Sequence, residues 1–547
     1  MRTTRAILAI ALASTTAVVA PLSGSAATVE PHRFAAASLE PELQAVQAGA
    51  PPVDTATHCG APAADPVPDG VPIVVTIPPG PAFTIGKIPK SWWRTPPYGD
   101  SAWQLQLRGF IYMSALAQRA FQDGQQESLK ALVDQVVAFH TENPDPNTND
   151  AGWDEGSALR RLGAENCLYS LTKDARLVKG MQADVAVQYG WRFYGPPYKA
   201  SVHNHGVMAD HAVVRAAALL GRNDWLDRSL NRLQSAAPGA WTAQGVNREQ
   251  SSSYHVFNTI LWGWVSDDFD EHRGAGNAGS KLIRGLVAKA GTVSSWLTEP
   301  DGRLTVYGDA TPEKGYPNPR LTARTFRDNS AGLAVGRWSW TDPRTSYYVL
   351  RYGPKRWGHG QQDRVGVTWS TEGLRVLVNP GRALYDSKNL FRTYAASPNS
   401  HNVAVVDKRA LDSRAGAKLT STVQKASWHT WNFTDTLYGV RHDRQISVLR
   451  DTRSLVCTDT VRGRALRQYW HLHPSWIYAG RSRSGHTMWF TAGGHKLKVS
   501  STAVLTRLRA SSSPVAGWTF PTASTRAGAS ELQVRATSTV KTIFKVD

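Results

Sequence analysis

Cysteine is scarce in this sequence of 547 residues, and the scarcity limits what the chain can be. The three cysteines, Cys59, Cys167 and Cys457, allow at most one disulfide within the chain, and the sequence does not decide which two would pair. No two of them have the short spacing of a zinc finger, and no His-rich tract replaces it. A Walker-type phosphate loop is also missing, which argues against nucleotide chemistry.

Long apolar segments are scarce as well, and the clearest one lies at the N-terminus. Arg2 and Arg5 precede an apolar stretch over residues 6–19, and small residues follow at 23–27. A membrane-spanning helix needs about 20 apolar residues, so this stretch is too short to be one. The pattern is typical of a secretory signal peptide over residues 1–27. We therefore expect a secreted, extracellular protein without a membrane partner.

Acidic residues are outnumbered by basic ones. Asp and Glu total 43 against 62 Lys and Arg, which gives a net charge of +19, and the chain also holds 20 Trp, 17 Tyr and 14 Phe. This composition indicates a polyanionic partner, because the summed charge attracts anions. Charge alone leaves nucleic acid, anionic polysaccharide and membrane surface open. No nucleic-acid-binding motif is present, and a secreted protein rarely meets nucleic acid as its target, so we expect no such partner.

The order of residue types along the chain predicts helices first and strands second. Residues 28–90 are rich in Pro, Ala and Gly and are interpreted as an N-terminal arm. Between residues 100 and 300 apolar residues recur at helical spacing. One stripe runs from Leu107 through Phe110 to Phe121, and Asn223 or Asp224 is expected to cap another helix. From about residue 325, short β-branched and aromatic runs alternate with turns. This order favours an α+β multidomain protein, with helix pairs in a toroid or solenoid and a separate antiparallel β-domain.

Three groups of polar and titratable residues interrupt the apolar patterning. A single histidine of this kind is more often structural than catalytic, so each group alone is a weak indication of a site. Their occurrence together in one chain is a stronger indication. The groups are His203, Asn204, His205 and His211; Glu249, Tyr254 and His255; and His359, Asp363, His401 and Asn402.

These groups, with several short turns, form an ordered set of motifs that resembles the heparinase II/III-like polysaccharide lyases. The similarity runs from about residue 100 to 475. It implies an incomplete (α/α) toroid over residues 91–322, an antiparallel β-sheet domain over residues 323–547, and an active site in the cleft between them. The matching segments are "WDEGSALRR" at 153–161, Asn204-His205-Gly206, Glu249 with Tyr254-His255, Gly308-Asp309, His359 to Asp363, Asn379 to Gly381, and Ser400-His401-Asn402.

The resemblance implies β-elimination on an anionic polysaccharide that contains uronic acid. Such a lyase removes the C5 proton of a uronate and expels the C4 oxygen, so it must offset the charge that the carboxylate gains. Asn204 and His205 are suited to donate hydrogen bonds to that charge. By resemblance, Tyr254 and His359 move the protons. A free Tyr has a pKa of about 10 and would need a lowered pKa to act as base. Which of the two takes the proton stays open, and one Tyr can do both jobs when proton and leaving group lie on the same face.

Basic and aromatic residues are expected to bind the substrate, because Arg makes bidentate contacts with carboxylate and sulfate groups. Most Trp residues are expected to lie in the core. In relatives, residues after the Asn-Pro-Gly turn face the substrate, and one helix of the toroid carries Arg residues. The residues assigned to substrate binding are Arg160, Glu249, Arg382, Tyr385, Arg392 and Tyr394.

We expect neither a metal nor another cofactor. In some relatives a zinc ion lies in the β-domain, and the matching positions here are Gln361, Asn379 and His401. Two of the three are neutral amides, which are poor zinc ligands. A hydrogen-bonded polar cluster with a structural His401 is expected instead. Asp363 either orients His359 or closes a turn.

Two other functions remain open from the sequence. A glycoside hydrolase on the same helical toroid would need two carboxylates flanking the bond, and Asp154, Glu155, Glu249 and Asp309 are available. A non-catalytic polyanion-binding protein would have the same basic charge and the same loss of zinc ligands. The polymer itself, whether alginate or a glycosaminoglycan, is not named by the sequence.

Overall fold

The computed structural model describes residues 32–35, 59–67, 69–78, 80–146, 151–190, 202–386 and 388–547. The predicted signal peptide over residues 1–27 lies outside the described residues, as does much of the predicted arm before residue 59.

None of the described helices is both long and apolar enough to cross a bilayer.

Helices dominate the first half of the described chain. Several begin at a side-chain cap: Asp100 accepts hydrogen bonds from two backbone N–H groups, and Asp154, Ser251 and Asn277 each accept one. The helices are α1 (Ser101–Arg108), α2 (Ile111–Gln122), α3 (Gln126–Glu142), α4 (Glu155–Thr172), α5 (Val178–Tyr189), α6 (Asn204–Leu220), α7 (Asn223–Ala240), α8 (Ser252–Arg273) and α9 (Ala278–Trp296), with single 3-10 turns at Lys90–Trp93, Ala151–Trp153 and Ala175–Leu177.

Neighbouring helices pack as pairs around α4 and α6. Helix α4 contacts α2, α5 and α6, while α6 contacts α7 and α8, and α8 lies along α9. Trp93, Trp103 and Trp153 are almost fully buried, which agrees with the expectation that most Trp residues belong to the core. A disulfide joins Cys59, ahead of the helices, to Cys167 on α4, and Cys457 is a free, buried thiol.

Two local expectations about the helices need correction. The apolar stripe from Leu107 to Phe121 is not one helix, because Phe110 adopts a left-handed conformation with φ 51° and separates α1 from α2. Asn223 is the first residue of α7 and not its cap, and Arg222 occupies the cap position without a side-chain hydrogen bond. Leu107 and Phe110 are nevertheless buried, as are Trp225, Leu230 and Leu233 on α7, whereas Phe121 is 45% exposed.

Antiparallel sheets make up the second half, so the predicted order of helices first and antiparallel sheets second is confirmed. A five-stranded sheet comes first, with its strands in chain order: β4 (Thr325–Asp328), β5 (Leu333–Arg337), β6 (Tyr347–Arg351), β7 (Gly366–Thr371) and β8 (Leu374–Leu377). Helix α10 (Leu390–Ala396) and a 3-10 turn at Pro398–Ser400 follow it. Near the N-terminus, β1 (His32–Ala35), β2 (Ile73–Thr76) and β3 (Ala82–Thr84) form a small separate sheet.

The largest sheet has eight strands in the order β10-β11-β12-β13-β24-β17-β16-β15. Four more strands form a sheet in the order β18-β23-β14-β9, and two short hairpins complete the fold. The strands are β9 (Ala404–Val406), β10 (Ala417–Gln424), β11 (Trp428–Asp435), β12 (His442–Leu449), β13 (Ser454–Val461), β14 (Leu466–His471), β15 (Ile477–Arg481), β16 (Thr487–Ala492), β17 (His495–Ser501), β18 (Leu505–Arg509), β19 (Ser511–Ser512), β20 (Val515–Ala516), β21 (Trp518–Thr522), β22 (Thr525–Gly528), β23 (Ser530–Ala536) and β24 (Thr539–Val546).

The eight-stranded sheet has one buried and one solvent-facing side. In β11 and β24 buried residues alternate with less buried ones, as expected of strands that pack on a core with one face. Trp431 and Phe544 lie on the buried side and belong to one large cluster with residues of the five-stranded and four-stranded sheets. The opposite side of the sheet is therefore available to solvent.

A charged cluster lies inside this β-rich half. The Arg444 guanidinium makes two hydrogen bonds to Asp459, of 2.6 and 2.9 Å, and is fully buried. His442 lies between two carboxylates, with Nδ1 2.7 Å from Asp435 and Nε2 2.7 Å from Asp459. Burial alone would lower the pKa of His442, but these hydrogen bonds outweigh it and raise the pKa to about 9.

Backbone contacts join the two halves where the polar motifs meet. The N–H of His359 donates to the carbonyl of Glu249 at 2.9 Å, and the N–H of Asp309 donates to the carbonyl of His359 at 2.7 Å. The Ser101 hydroxyl, at the start of α1, donates to the carbonyl of Tyr385 at 2.7 Å. The loop that carries His359 is thereby held against the segment that precedes α8.

Candidate active site

A cavity of about 640 Å³ lies between the helices and the sheets. Each half supplies side chains to its wall. From the helical half come Ser101, Ala102, Leu105, Arg160, Asn204, His205, Tyr254 and Phe257, and from the β-rich half come Arg356, His359, Gln362, Arg382, Tyr385, Arg392, Thr393 and Ala396.

Glu249 holds Asn204 at the N-terminus of α6. One oxygen of its carboxylate accepts from the backbone N–H of Asn204 at 2.8 Å, and the other accepts from Nδ2 of the same residue at 2.6 Å. Asn258 on α8 donates to the carboxylate as well, at 3.1 Å. Because Glu249 is fully buried, these contacts fix the amide plane of Asn204 at the wall of the cavity.

Two more histidines flank Asn204. His203 caps α6 by accepting a hydrogen bond from the N–H of His205, and its ring contacts Trp357, His205 and His359. Burial, and then the charges of His203 and Arg160, lower the pKa of His205 well below its usual value. His205 therefore faces the cavity as a neutral imidazole at neutral pH.

The neighbours of His359 assign its tautomer. Nε2 lies 3.4 Å from Nδ2 of Asn204, which can only donate, so Nε2 is the unprotonated nitrogen. A carboxylate lies 3.6 Å from each ring nitrogen, Asp309 from Nδ1 and Glu249 from Nε2, so the Asn204 donor decides, and the proton is on Nδ1, 3.2 Å from the Tyr385 hydroxyl. The lone pair of His359 therefore lies on the side of Asn204.

Tyr254 lies against His359 with parallel rings, 3.3 Å apart between centroids, and its hydroxyl is 3.3 Å from that of Tyr385. Burial, and then the neighbouring Tyr385, raise the pKa of Tyr254 well above its usual value. Burial also raises the pKa of Tyr385 to about 12. The lowered pKa that a Tyr base would need is not found in this state, and both hydroxyls keep their protons at neutral pH.

Asp309 anchors the opposite side of the cavity. Its carboxylate accepts two hydrogen bonds from Arg392, at 2.6 and 3.0 Å, and one from Gln361 at 2.9 Å. Burial would raise the pKa of Asp309, but hydrogen bonds from His359 and Arg392 outweigh it and hold the pKa below its usual range. The guanidinium of Arg392 also lies over the ring of Tyr385, 4.6 Å from its centroid.

The charge of the wall is of one sign. Arg160, Arg356, Arg382 and Arg392 line the cavity, and no Asp or Glu is found among its described lining residues. Glu249 and Asp309 lie behind the wall and are bound to Asn204 and Arg392. The cavity is therefore suited to an anion.

The predicted site residues separate into two sets. Asn204, His205, Tyr254 and His359 line one cavity, together with Arg160, Arg382, Tyr385 and Arg392. Glu249 and Tyr394 were assigned to substrate contact, and the structure corrects both. Glu249 is fully buried behind Asn204, and the buried Tyr394 hydroxyl donates to Glu531 at 3.0 Å, away from the cavity.

Other residues of the three polar groups serve the structure. His255 is buried, its Nε2 3.0 Å from the carbonyl of Ala290, and His211 pairs with Asp268. The Asp363 carboxylate lies 3.7 Å from Arg351, and its backbone carbonyl accepts from the N–H of Gly366 to close a turn. Asp363 therefore does not orient His359. Sequence reasoning missed Arg356 and Gln362, although both lie within three residues of His359.

The positions that match the zinc site of relatives do not fit that metal. Gln361 donates to Asp309, and Nδ2 of Asn379 donates to the carbonyl of Val306 at 3.0 Å. His401 is buried, with Nδ1 3.2 Å from the Asn379 oxygen. A hydrogen-bonded polar cluster thus occupies these positions. The absence of a bound metal stays a prediction.

Two other groups of residues have the donor types of a metal site. The ligand atoms of His203, Glu249 and His359 lie within 4.8 Å of one another, but Glu249 is already bound by Asn204. His140, Glu165 and Asp184 form the second group, inside the helical half, where Arg161 binds Asp184.

Comparison with known proteins identifies the β-rich half. Residues 327–542 match the family model described as Heparinase II/III-like, C-terminal. A comparison with curated protein sequences finds no match.

Solved structures are similar over most of the chain. A crystal structure of heparinase III has a TM-score of 0.70 at 13% identity, covering 85% of this chain and 80% of that one. A mutant of the heparan sulfate lyase HepC from Pedobacter heparinus has a TM-score of 0.61 at 14% identity, covering 93% and 87%. At such identities these structures show a common fold. The resemblance indicated by the motifs is thus confirmed: residues 327–542 match the C-terminal domain model of the heparinase II/III-like family, and most of the chain shares the fold of heparinase III.

Proposed function

We propose that the protein is a secreted lyase that cleaves a uronate-containing polysaccharide by β-elimination and leaves unsaturated uronate ends. The observation that carries this proposal is the composition of the cavity wall. An amide and a neutral imidazole lie beside a Tyr–His–Tyr cluster, four Arg residues surround them, and the described lining has no carboxylate. Heparinase III and a heparan sulfate lyase, which share the fold, add support by analogy.

Charge on the substrate carboxylate is offset first. Asn204 and His205 donate hydrogen bonds to the carboxylate, and the Arg residues of the wall neutralise it as the C5 proton leaves. Glu249 holds one amide hydrogen of Asn204, and the other, which faces Nε2 of His359 at 3.4 Å, is the one that the substrate carboxylate takes over. A preorganised donor stabilises the transition state without the free-energy cost of reorientation.

Proton transfer then uses both members of the stacked pair, His359 and Tyr254. The Nε2 lone pair of His359 takes the C5 proton, the C4–C5 double bond forms, and the C4–O bond breaks. Tyr254 gives its hydroxyl proton to the departing oxygen, which suits a phenol whose pKa is raised. Tyr385 lies 3.3 Å from the Tyr254 hydroxyl and 3.2 Å from Nδ1 of His359, so it can return a proton from His359 to Tyr254. His359 is then neutral with its proton on Nε2, and exchange with water returns the proton to Nδ1.

The finer architecture is part of the same proposal. The helices are assigned to an incomplete (α/α) toroid over residues 91–322, followed by a β-sheet domain over 323–547, with a signal peptide at 1–27 and an arm at 28–90. Pairing of α4, α6 and α8 with their neighbours supports the toroid. The disulfide between Cys59 and Cys167 supports secretion, because disulfides persist in oxidising compartments.

Hydrolysis is the less favoured reaction. A glycosidase needs two carboxyl groups on either side of the scissile bond. Of the four candidates from the sequence, Glu249 and Asp309 are bound behind the wall, and Asp154 caps α4. No candidate pair flanks the cavity within the described residues.

The test is a panel of uronate polymers, including alginate and heparan sulfate, mixed with the mature protein. We expect ultraviolet absorbance from unsaturated uronate to rise on at least one polymer. Tyr254→Phe and His359→Ala should each lose at least about a hundredfold in turnover, the usual scale for a positioned acid or base. Tyr112→Phe is the matched control, because the buried Tyr112 hydroxyl has no hydrogen-bond partner among the described residues and lies outside the cavity lining.

Other outcomes point to other functions. New reducing ends without ultraviolet absorbance would indicate hydrolysis. Binding without any cleavage would indicate a polyanion-binding protein. Near-normal turnover of Tyr254→Phe would remove that residue from the mechanism.

A further inference from the structure

Three neighbouring strands of the eight-stranded sheet, β16, β17 and β24, present a basic outer surface. Lys496 and Lys498 point outward from β17, and Lys541 and Lys545 point outward from β24, with all four side chains exposed. Trp489 lies on the same side in β16. We call these five residues the lysine face.

The strand register aligns members of the lysine face. Trp489 is paired with Lys498, and Lys498 is paired with Lys545 on the next strand. Because neighbouring strands lie about 4.8 Å apart, these three residues form a row about 10 Å long across the sheet. Lys496 and Lys541 flank the row along the strands. The arrangement is a flat array of point charges beside one aromatic ring.

One acidic residue, Asp547, borders this surface. The outward residues of β16, β17 and β24 include no Asp or Glu. Lys545 pairs with Asp547, 2.7 Å away just beyond the end of β24, and no other ion pair of these four lysines is found among the described residues. The surface therefore carries a net positive potential that attracts anions.

Protection of a sheet edge does not explain these lysines. Charged residues on edge strands prevent edge-to-edge aggregation, but the edges of this sheet are β10 and β15. Strands β17 and β24 lie inside the sheet, paired on both sides. Their outward lysines are free for another role.

Trp489 adds a second type of contact. Its side chain is 38% exposed, whereas Trp431 of the same sheet is fully buried. An exposed aromatic ring on a flat surface can stack on a sugar ring, and the adjacent Lys498 can pair with a carboxylate or sulfate on the same residue. Charge and stacking together select an acidic polysaccharide.

We infer that the lysine face is a second, non-catalytic binding site for an acidic polysaccharide chain. The choice of polysaccharide over other polyanions rests on the proposed function. The charge and exposure of the lysine face are observed independently of that function. A polymer held here raises its own concentration at the cavity, which strengthens overall binding without any change in the active site.

The experiment compares K496Q/K498Q/K541Q/K545Q with a control that loses the same charge elsewhere, K87Q/K130Q/K281Q/K289Q. These control lysines are exposed and lie in the helical half. Each set is placed in a Tyr254→Phe background, so that the ligand stays intact, and binding to immobilised heparan sulfate and alginate is measured. Turnover of long polymer and of a tetrasaccharide is measured in the active background. Thermal unfolding verifies that each variant is folded.

We expect the lysine-face variant to bind at least one polymer about tenfold more weakly than the control variant does, with W489A weakened as well. KM for the long polymer should rise, while kcat/KM for the tetrasaccharide should stay within about twofold of the parent protein. Equal binding by the lysine-face and control variants would overturn the inference. If the protein proves not to be a lyase, the binding measurement still decides, so failure of the two proposals can be told apart.

Discussion

Glu249 is a buried carboxylate whose effect on the site passes through another side chain. It accepts two hydrogen bonds from Asn204 and lies 3.6 Å from Nε2 of His359. We predict that Glu249→Gln lowers kcat between about tenfold and a hundredfold, because a misplaced donor loses much of its effect on the transition state. The amide places a donor where an acceptor is required, so Asn204 must shift.

The split between kcat and KM distinguishes positioning from a general loss of structure. A displaced Asn204 weakens an interaction made in the transition state, so kcat should fall while KM stays within about twofold of the parent protein. Glu299→Gln is the control, since Glu299 is a buried carboxylate paired with Arg375 outside the cavity. Equal losses of kcat in Glu249→Gln and Glu299→Gln, with reduced stability in both, would argue for a structural role alone.

Residue types at the site could be predicted from the sequence, but their partners could not. Asn204 and Glu249 are separated by 45 positions, and no local pattern indicates that they bind each other. Tyr394 was wrongly assigned to the cavity for a simple reason. It is two residues after Arg392 on α10, and residues two apart on a helix do not share a face. Arg392 and Thr393 face the cavity, and Tyr394 faces Glu531.

At the level of elements, a tight turn at Gly308 sets the distance between α8 and the loop of His359. Gly308 has φ 62°, and a Cβ there would overlap the carbonyl of Gln250 and lie 2.8 Å from that of His359. We predict that Gly308→Ala reduces both the free energy of unfolding, by about 1–3 kcal/mol, and kcat, because the His359 backbone must move. Chemical denaturation and steady-state kinetics measure the two effects.

Gly221→Ala separates the effect of backbone strain from the effect of displacing His359. Gly221 has a similar φ of 65°, but a Cβ added there meets no atom within 4 Å. It should lose stability through backbone strain alone and keep its kcat. A comparable loss of kcat in both variants would mean that strain, and not displacement of His359, is responsible.

The type and order of elements followed from periodicity, and their ends did not. The stripe from Leu107 to Phe121 has helical spacing throughout, yet Phe110 takes a left-handed conformation that a non-glycine residue adopts only when its surroundings enforce it. Phe110 packs against Trp93 and Phe139, which come from other elements. A break enforced by such tertiary contacts leaves no local signal in the sequence.

For the whole molecule, we predict that stability decreases on the alkaline side of neutrality. His442 has a folded-state pKa of about 9, above the value of about 6.5 in an unfolded chain. Its contribution to the free energy of unfolding is therefore complete below pH of about 6.5 and is lost as pH rises through about 9. The melting temperature of wild type should fall across this range.

His442→Gln removes the titrating group and keeps a hydrogen-bonding side chain. Its melting temperature should be lower than that of wild type near neutrality, and the difference should shrink as pH approaches 9. A constant difference over the range would contradict a contribution from the charged imidazole.

The net charge of the molecule was evident from composition, but its distribution was not. Composition indicated a polyanionic partner and left the location of its contacts open. The fold gathers Arg160, Arg356, Arg382 and Arg392 from separate parts of the chain into one wall, and turns the acids near them inward. Lys496, Lys498, Lys541 and Lys545, in contrast, share the outer side of the eight-stranded sheet. Such sorting depends on which face of each helix and strand is buried, and residue counts do not encode it.

The all-cationic wall has a consequence for the end of a catalytic cycle. Both fragments of a cleaved uronate polymer keep their carboxylates, so the arginines that capture the substrate also retain the products. If the proposed function holds, we expect release of product, and not bond cleavage, to limit the rate in dilute buffer. Salt screens the contacts of product and substrate alike. Moderate salt therefore speeds release of the product, and high salt abolishes capture of the substrate. We therefore expect turnover to be fastest at an intermediate ionic strength.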